Sequence, residues 1–571
     1  MIRLALALLF AGLPSLLGAS KAALRYPVAL ELTEDGKTAF TANSRSGSIS
    51  VIDLPRQRVA AEYTIKGKLT DIALHPRSKF LLATDAGNHR IHFFAFKNRK
   101  LIHLKDEPCI PYPARVVISE DGATVAIAST WDQRLGIYKT DGTNHHISFR
   151  QSHTLSMPFP LREMLWVDGR DQFVVADAFG GNIAAVRATS GTVLAMHLLP
   201  AHNIRGLALD ANGERLLISH QILNPLARTT FNDVHWGVLM ANVIRSIPLR
   251  NLTDARAKVL RGSRLHRLGM NGPAAGDPAG IGVGNLGHVA VALAGIGGLE
   301  TGPSLAEMER IETGERPSVV RIHGTRAYVL NTFGDSISII DLKKSQRIGS
   351  ISLGQQSKLN AAQRGERLFF DARLSHNGWL SCHSCHTGGH SNGMLNDNLG
   401  DNSFGAPKRV ISLLGVADTS PWAWNGSITQ LEQQVIKSIK STMHGEPLSK
   451  EQIADLTAFL KTLPRPPVPT RARDPETIDR GKELFTSLKC IRCHQPPLYT
   501  TDEVYNVGFK DEAGNEEFNP PSLRGLQHRT GFFHDKRART LHDVFNKYRH
   551  QLEEKLNPSA LTDLVSFLRT L

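Results

Sequence analysis

Two short motifs carry the clearest chemistry in this sequence. Both follow the pattern Cys-x-x-Cys-His, and their members are Cys382, Cys385, His386, Cys490, Cys493 and His494. Two thiols at this spacing can add across the vinyl groups of a porphyrin, and the adjacent imidazole can then bind its iron. A shared zinc site would need the two motifs to converge, whereas each follows its own predicted helix. The pattern therefore predicts two covalently attached c-type haems.

The remaining cysteine and the N-terminus indicate where the chain works. Of five cysteines only Cys109 lies outside the motifs, and we expect it to be a small buried side chain. Arg3 precedes an apolar run from residue 4 to 17, which predicts a signal peptide over residues 1–23. An uncleaved anchor would need about 20 apolar residues, and Pro14 interrupts even this run. We expect export to the periplasm and no membrane span after cleavage.

The chain is strongly basic, with a formal charge of +14 and a pI near 9.6. Its lysines and arginines are dispersed, and no basic run is interleaved with aromatic residues. Export would also separate the protein from nucleic acid, so we exclude nucleic acid as a partner. The charge is then either a solvated surface or a field that steers an acidic redox partner.

A β-rich pattern repeats through the first part of the chain. Its turns are Asp35–Gly36, Arg77–Ser78, Asp121–Gly122, Gly169–Arg170, Asn212–Gly213 and His323–Gly324. The first five are spaced close to the propeller blade period of about 40 to 45 residues. The pattern predicts an all-β propeller over residues 24–353, with seven blades and with the opening and closing strands sharing one blade.

An irregular insert is expected from about residue 221 to 267, before a glycine-rich stretch. It contains His235 and Trp236, which either lie on a helix packed over the propeller mouth or have a chemical role. An isolated histidine offers no second ligand at metal spacing, which favours the packed helix.

From about Gly354 the strand pattern gives way to helical spacing. Arg364-Gly365 followed by Leu368-Phe369 recurs as Arg480-Gly481 followed by Leu484-Phe485, and each copy leads into one haem motif. A proline-rich linker from residue 463 to 475 separates the copies. We therefore predict a multidomain chain in which two mainly α cytochrome c lobes, 354–470 and 471–571, follow the propeller.

Residues 359–571 resemble the bacterial dihaem cytochrome c peroxidase and MauG family, and the propeller resembles the YVTN-type seven-bladed repeats sometimes fused to it. The likeness rests on "GAPKRVISLLGVADTSPWAWNGSITQLEQQ" from residue 405 and "NPPSLRGLQHRTGFFHDKRARTLHDVF" from residue 519. It implies that Trp424 relays electrons between the haems, that Gln434 lies in the distal pocket, and that His534 lies near the second haem.

Several family positions differ in this chain. The peroxidases have a methionine ligand fourteen residues after the histidine matched by His534; here Tyr548 stands there, as in MauG-type members. The resemblance thus implies that Tyr548 ligates the second haem, with His550 as a competing ligand. Ten residues after Gln434 the family has an acid-base glutamate, and this chain has His444. An imidazole can do that work near neutral pH; otherwise the peroxide step is weak or lost.

Two further positions concern the sixth ligand of the first haem and a ligand of calcium. No residue clearly matches the histidine that closes the first haem in resting peroxidases, and His390 lies too close to His386 to be assigned, so an open sixth position is expected. Calcium often bridges the lobes in this family. Gly405 replaces its asparagine ligand, which leaves calcium an open question.

The resemblance implies a periplasmic MauG-like or cytochrome c peroxidase-like oxidoreductase, a peroxidase-type enzyme. Hydrogen peroxide would bind the open first haem beside Gln434 and His444, with electrons passing from the second haem through Trp424. The expected partner is a small redox protein (a cytochrome c or a cupredoxin) or a protein substrate. Two alternatives remain: a non-catalytic dihaem electron-transfer cytochrome, and a propeller-based binding protein whose haems act as sensors.

Overall fold

The computed structural model describes residues 22–76, 80–143, 146–468, 470 and 474–571. The predicted signal peptide, apart from its last two residues, lies outside the described residues, as does the predicted turn at Arg77–Ser78.

Seven four-stranded antiparallel sheets follow one another in the described part of the chain. Their strands are β1 Pro27–Leu32, β2 Thr38–Asn43, β3 Ser48–Asp53, β4 Arg58–Thr64; β5 Leu69–Leu74, β6 Phe80–Asp85, β7 Arg90–Lys97, β8 Lys100–Pro108; β9 Pro113–Ile118, β10 Thr124–Ser129, β11 Arg134–Thr143, β12 His146–Ser156; β13 Leu161–Val167, β14 Gln172–Asp177, β15 Asn182–Arg187, β16 Thr192–Leu198; β17 His202–Leu209, β18 Arg215–Leu223, β19 Met240–Pro248, β20 Arg264–Arg267; β21 Pro278–Val283, β22 Val289–Leu293, β23 Gly298–Gly302, β24 Glu309–Glu312; β25 Pro317–His323, β26 Arg326–Asn331, β27 Ser336–Asp341 and β28 Gln346–Ser352.

The sheets form a closed ring. The first strand of each sheet lies beside the first strand of the next, and β25 contacts β1. Within a sheet the second and third strands are nearly all buried, whereas the outer strand β4 alternates between exposed and half-buried positions. Cys109 is half-buried against the core between the second and third blades. The ring confirms the predicted seven-bladed propeller.

The predicted way of closing the ring is wrong. Strands β1–β4 complete the first blade and β25–β28 complete the seventh, so no blade is shared between the two ends. The ends are joined instead by hydrogen bonds from the backbone N–H groups of Arg25 and Tyr26 to the carboxylate of Asp335, at 2.9 and 2.8 Å. Leu30 of the first blade also packs with Leu330 of the seventh in one buried cluster.

The irregular insert is largely regular structure. Its residues supply the end of β18 and all of β19 and β20, with two short helices, α1 Phe231–His235 and α2 Leu249–Thr253. The glycine-rich stretch that follows forms the sixth blade, β21–β24. Sequence periodicity missed this blade because short strands rich in glycine and alanine give a weak alternation.

The remainder is mainly helical, as predicted. Its helices are α3 Ala361–Phe369, α4 Cys382–Cys385, α5 Leu431–Lys437, α6 Lys450–Thr462, α7 Pro475–Ser487 and α8 Pro558–Leu568, with strand pairs β29 Leu395–Asn396 and β30 Lys408–Arg409, and β31 Tyr505–Asn506 and β32 Glu517–Phe518. No helix in the described part of the chain is long and apolar enough to cross a membrane. The exact domain boundaries stay predictions.

The repeated Arg-Gly dipeptide has a packing explanation. In each lobe the first helix lies against the last, α3 on α6 and α7 on α8. A Cβ atom at Gly365 would lie 1.9 Å from the carbonyl oxygen of Asp455, and one at Gly481 would lie 2.1 Å from that of Asp563. Only glycine allows this approach. The arginine beside each glycine forms an equivalent ion pair across the two helices: Arg364–Asp455 and Arg480–Asp563.

Candidate haem sites

A cavity of about 290 Å³ lies beside the first Cys-x-x-Cys-His motif. Helix α4 presents Cys382 and Cys385 to it, and His386 follows directly. Mainly apolar side chains of the first lobe and mainly polar side chains of the second complete its walls. A largely apolar cavity with a few polar groups is typical of a cofactor site.

The proximal imidazole of the first motif is held in one orientation. Nδ1 of His386 lies 2.9 Å from the carbonyl oxygen of Ile411, so Nδ1 carries the proton and Nε2 keeps its lone pair. Burial lowers the pKa of His386 to about 4, which keeps the ring neutral at neutral pH. Both properties suit an iron ligand.

Two cations face the same cavity, the buried Arg409 and the half-buried Arg529. Burial lowers the pKa of Arg409 to about 10 and that of Arg529 to about 9. Neither guanidinium forms an ion pair with any described residue. Haem carries two propionate groups, which would supply the missing negative charge. The residues present therefore fit a haem c at the first motif.

The second motif is built in the same way. Cys490 packs half-buried against the core of the second lobe. Nδ1 of His494 lies 3.1 Å from the carbonyl oxygen of Tyr499, and burial lowers the pKa of His494 to about 4. This site also fits a haem c.

The two candidate ligands of the second haem differ in their contacts. The Tyr548 hydroxyl donates to the carbonyl oxygen of Arg537 at 2.8 Å. Nδ1 of His550 is buried and has no hydrogen-bond partner within the described chain. The charge of His550 also contributes to the lowered pKa of His494, so the two imidazoles lie close enough to interact. Tyr548 as the ligand stays a prediction, and the unpaired Nδ1 favours His550 as the competing ligand.

Trp424 touches both lobes. It lines the cavity, its indole N–H donates to the carbonyl oxygen of Arg409 at 2.8 Å, and its ring centroid lies 6.3 Å from that of His534. Its own carbonyl oxygen accepts a hydrogen bond from the backbone N–H of Asn519 at 2.8 Å. His534 in turn stacks on Phe518 at 4.2 Å. The side chain therefore contacts residues of both lobes, and its role as a relay stays a prediction.

Gln434 and His444, expected side by side, have different surroundings. Gln434 lines the cavity; its amide donates to Ser438 Oγ at 3.1 Å, and its Oε1 is buried without a partner in the described chain. The His444 ring is not part of the cavity wall, and its Nε2 lies 2.9 Å from the carbonyl oxygen of Thr229. The catalytic roles of both residues stay predictions.

The cavity contains few groups that could close the first haem. His386 is the only histidine among the described residues that line it, and Met443 contributes the only thioether. His390 lies elsewhere: its Nδ1 is 2.9 Å from Ser412 Oγ, and its ring packs against Trp131 of the propeller.

The propeller covers the first motif, which sequence reasoning missed. The intervening residues His383 and Ser384 are 3% and 0% exposed, whereas Ile491 of the second motif is 38% exposed. Ser384 Oγ donates to Asp277 at 2.6 Å, and Nε2 of His202 lies 3.0 Å from the Ser384 carbonyl oxygen. No sequence signal could have shown this, because the motif pattern leaves its two middle positions unspecified.

The insert helix α1 also contacts the first lobe. Nδ1 of His235 lies 2.8 Å from Nε2 of His376, and the indole N–H of Trp379 donates to the His235 carbonyl oxygen at 3.2 Å. Trp236 is 61% exposed. Sequence reasoning missed His376 because it lies 141 residues further along the chain.

The expected calcium region contains an ammonium group. Nζ of Lys408, three residues after Gly405, lies 3.0 Å from Asp401, 2.9 Å from Asp511 and 2.7 Å from the carbonyl oxygen of Ala406. These contacts join the two lobes through a positive charge. Calcium itself stays an untested expectation.

Parts of the chain are similar to known proteins. Residues 360–464 match the family model of di-haem cytochrome c peroxidase. The chain is 29% identical over 271 residues to the methylamine utilization protein MauG of Methylorubrum extorquens, covering 36% of this chain and 76% of that protein. It is 24% identical over 270 residues to the cytochrome c551 peroxidase of Nitrosomonas europaea, covering 37% and 79%. A solved chain of Kuenenia stuttgartiensis hydrazine synthase, 17% identical with a TM-score of 0.48, covers 57% of this chain and 99% of its own length.

The fold and the two motifs define a dihaem c-type oxidoreductase of the peroxidase type. Within that class, residues 360–464 match the di-haem cytochrome c peroxidase family model, the helical region is similar to MauG and cytochrome c peroxidase proteins, and it follows a seven-bladed β-propeller.

Proposed function

We propose that this protein is a periplasmic, MauG-like dihaem oxidoreductase that uses hydrogen peroxide at its first haem site. The observation that carries the proposal is the cavity beside His386, where the described wall holds no second histidine and Gln434 has an unpaired Oε1. When bound, haem c supplies redox-active iron, and the protein sets its ligands and surroundings.

Four polar side chains of the cavity have distinct roles in this proposal: His386, Arg409, Arg529 and Gln434. Nε2 of His386 would bind the haem iron, and Arg409 and Arg529 would hold the propionates. Oε1 of Gln434 accepts a hydrogen bond from a peroxide O–H and so orients the substrate. His444 would act as an acid-base group only after releasing Thr229, so we assign the first contact with peroxide to Gln434.

Trp424 would carry electrons from the second site to the first. Its contacts with Arg409 on one side and His534 on the other support a path through this ring. The donor to the second site is a small redox protein, a cytochrome c or a cupredoxin, unless a protein side chain is oxidised instead. The propeller offers a docking platform for either partner.

Optical and electron paramagnetic resonance spectra of the oxidised holoprotein, before and after one equivalent of hydrogen peroxide, test the proposal. We expect one high-spin haem signal that peroxide abolishes, and a slower response in Gln434→Leu. Two low-spin haems that ignore peroxide, in both oxidised and half-reduced protein, would overturn it.

A second candidate function is electron transfer without peroxide chemistry. The buried thioether of Met443 lines the first cavity, and methionine is an established axial ligand in cytochromes c. Met443→Leu separates the two functions. It would convert a low-spin first haem to high spin if Met443 is a ligand, and would leave an already open haem unchanged.

Export is proposed from the sequence of residues 1–23. Cell fractionation and N-terminal sequencing of the purified holoprotein would test it. A mature chain that begins near residue 24 in the periplasmic fraction is the expected result; a chain that retains Met1 in the cytoplasm would contradict it.

A further inference from the structure

Three arginines meet at the end of the propeller ring that faces the first lobe. Arg162 is on β13, Arg205 is on β17, and Arg316 directly precedes β25, so all three lie near the start of an innermost strand. Burial, followed by the charge of Arg162, holds the pKa of Arg205 well below its usual range, and Arg316 adds to this effect. Burial, followed by the charges of the same three guanidinium groups, holds the pKa of His383 well below its ordinary value. Nη2 of Arg205 lies 3.2 Å from the His383 ring, and Arg316 packs on Phe370, whose ring centroid is 4.7 Å from that of His383.

The protein neutralises this positive charge only in part. Neither Arg205 nor Arg316 forms an ion pair with a described residue, and Nη1 of Arg316 is buried without a hydrogen-bond partner there. The nearest carboxylate to Arg162 is that of Glu163 at 3.8 Å. Glu163 also faces Arg115 at 3.4 Å.

The other carboxylates nearby are engaged elsewhere. Asp277 accepts hydrogen bonds from the hydroxyls of Ser381 and Ser384. Glu366 forms an ion pair with Arg45 at 2.7 Å. A group of guanidinium ions without partners is costly to bury. Asp277 therefore offsets the three guanidinium charges only in part, and the cluster keeps an excess of positive charge.

The contact between Arg205 and His383 indicates where a negatively charged group would bind. The backbone N–H of Gly388 donates to Nδ1 of His383 at 3.0 Å, so the proton of the neutral ring is on Nε2. Nε2 lies 3.2 Å from Nη2 of Arg205, which is also a donor. Two N–H donors that face each other at this distance need an acceptor that both can reach.

We propose that a small oxyanion binds at this end of the propeller, between Arg162, Arg205, Arg316 and the Nε2–H of His383. Guanidinium groups bind oxyanions through paired hydrogen bonds. The Arg316 guanidinium lies 3.6 Å above the Phe370 ring, which holds it in place. The side chain of Arg162 is 43% exposed, so solvent reaches the cluster.

The site does not depend on the proposed peroxide chemistry, because none of its groups lines the cavity beside His386. It would instead join the propeller to the helix that carries the first haem. An oxyanion bound there would strengthen this contact, since it is shared by side chains of both parts.

Calorimetric titration of the holoprotein with sodium sulfate, at an ionic strength held constant with sodium chloride, tests the proposal. We expect saturable binding of one sulfate per chain in the wild type, and at least tenfold weaker binding in Arg205→Gln and Arg316→Gln. Arg58→Gln is the matched control because Arg58 is exposed on the outer strand β4. This variant should bind sulfate with the same affinity as the wild type.

Thermal denaturation gives a second measurement. Sulfate should raise the melting temperature of the wild type and of Arg58→Gln, but not that of Arg205→Gln. Arg205→Lys retains the charge without the planar fork and should bind sulfate more weakly than the wild type. No saturable binding to the wild type, or unchanged affinity in both Arg205 variants, would overturn the proposal.

Discussion

His386 and His494 are anchored in the same way, each through Nδ1 to a main-chain carbonyl oxygen. This contact selects the tautomer that leaves Nε2 free and limits rotation of the ring. Because the partners are main-chain atoms, Ile411 and Tyr499 can vary in side chain without loss of the anchor. The proximal side of each site is therefore built by the backbone.

The sixth ligand of the second haem can be identified with two substitutions. His550→Ala should convert the second haem from low to high spin, because the unpaired imidazole near His494 is the better-placed ligand. Tyr548→Phe should leave the spin state unchanged, since the Tyr548 hydroxyl is bonded to Arg537. Electron paramagnetic resonance of the oxidised holoprotein measures the spin state of the second haem in both variants. The reverse pattern would establish Tyr548 as the ligand.

Substitutions of two tryptophans test whether Trp424 carries electrons between the two haem sites. Trp424→Phe should slow peroxide turnover with a reduced donor at least tenfold, because the indole ring that contacts both lobes is lost. Trp422→Phe is the control: Trp422 lines the same cavity but bonds within the first lobe, to Val416. Stopped-flow absorbance at both haems measures the transfer, and equal rates in the two variants would exclude Trp424 as the route.

Helix pairing within each lobe depends on one glycine. Gly481→Ala should destabilise the second lobe by at least about 1 kcal/mol, since overpacking exceeds the helix propensity that alanine gains. Lys482→Ala, one residue further and exposed, should have little effect. Urea denaturation followed at the second haem compares the two. An equal free energy of unfolding in both variants would show that the close approach of α7 and α8 at Gly481 does not stabilise the second lobe.

The strand β17 contributes a pH-dependent contact to helix α4. Burial lowers the pKa of His202 to about 4, below the ordinary value of 6.5, so the unfolded chain binds more protons between these values. Stability from this group is complete above pH 6.5 and is lost as the pH falls toward 4. Between pH 7 and pH 5 the loss is about 2 kcal/mol.

Urea denaturation at pH 7 and pH 5 checks this dependence. His202→Gln should retain the hydrogen bond to the Ser384 carbonyl oxygen while removing the titration, so its stability should change less between the two pH values. A pH dependence equal to that of the wild type would show that His202 is not the titrating group.

At the scale of the whole molecule, Asp277 joins the propeller to the first lobe. Asp277→Leu leaves the hydroxyls of Ser381 and Ser384 buried without their acceptor, which should cost roughly 2 to 4 kcal/mol. Asp171→Leu, in an exposed turn, is the control. Hydrogen exchange of helix α4 should rise only in Asp277→Leu. Unchanged protection there would show that the propeller does not support this helix.

The sequence predicted those parts of the molecule that repeat. Turn spacing identified the propeller, and the paired Arg-Gly dipeptides identified two lobes with one haem site each. Contacts between distant segments could not be predicted, because nothing local encodes them. Examples are the closure at Asp335, the hydrogen bond between His444 and Thr229, and the burial of His383.

The covering of helix α4 by the propeller has a consequence for biogenesis. Cys385 is buried in the finished structure, whereas Cys490 and Cys493 stay partly open to solvent. Any apparatus that attaches haem must reach both thiols of the first motif, so we expect attachment there to be easier before the lobe docks on the propeller. The second motif carries no such restriction. We therefore expect an ordered assembly, in which haem attachment to the first motif comes before the propeller closes against helix α4.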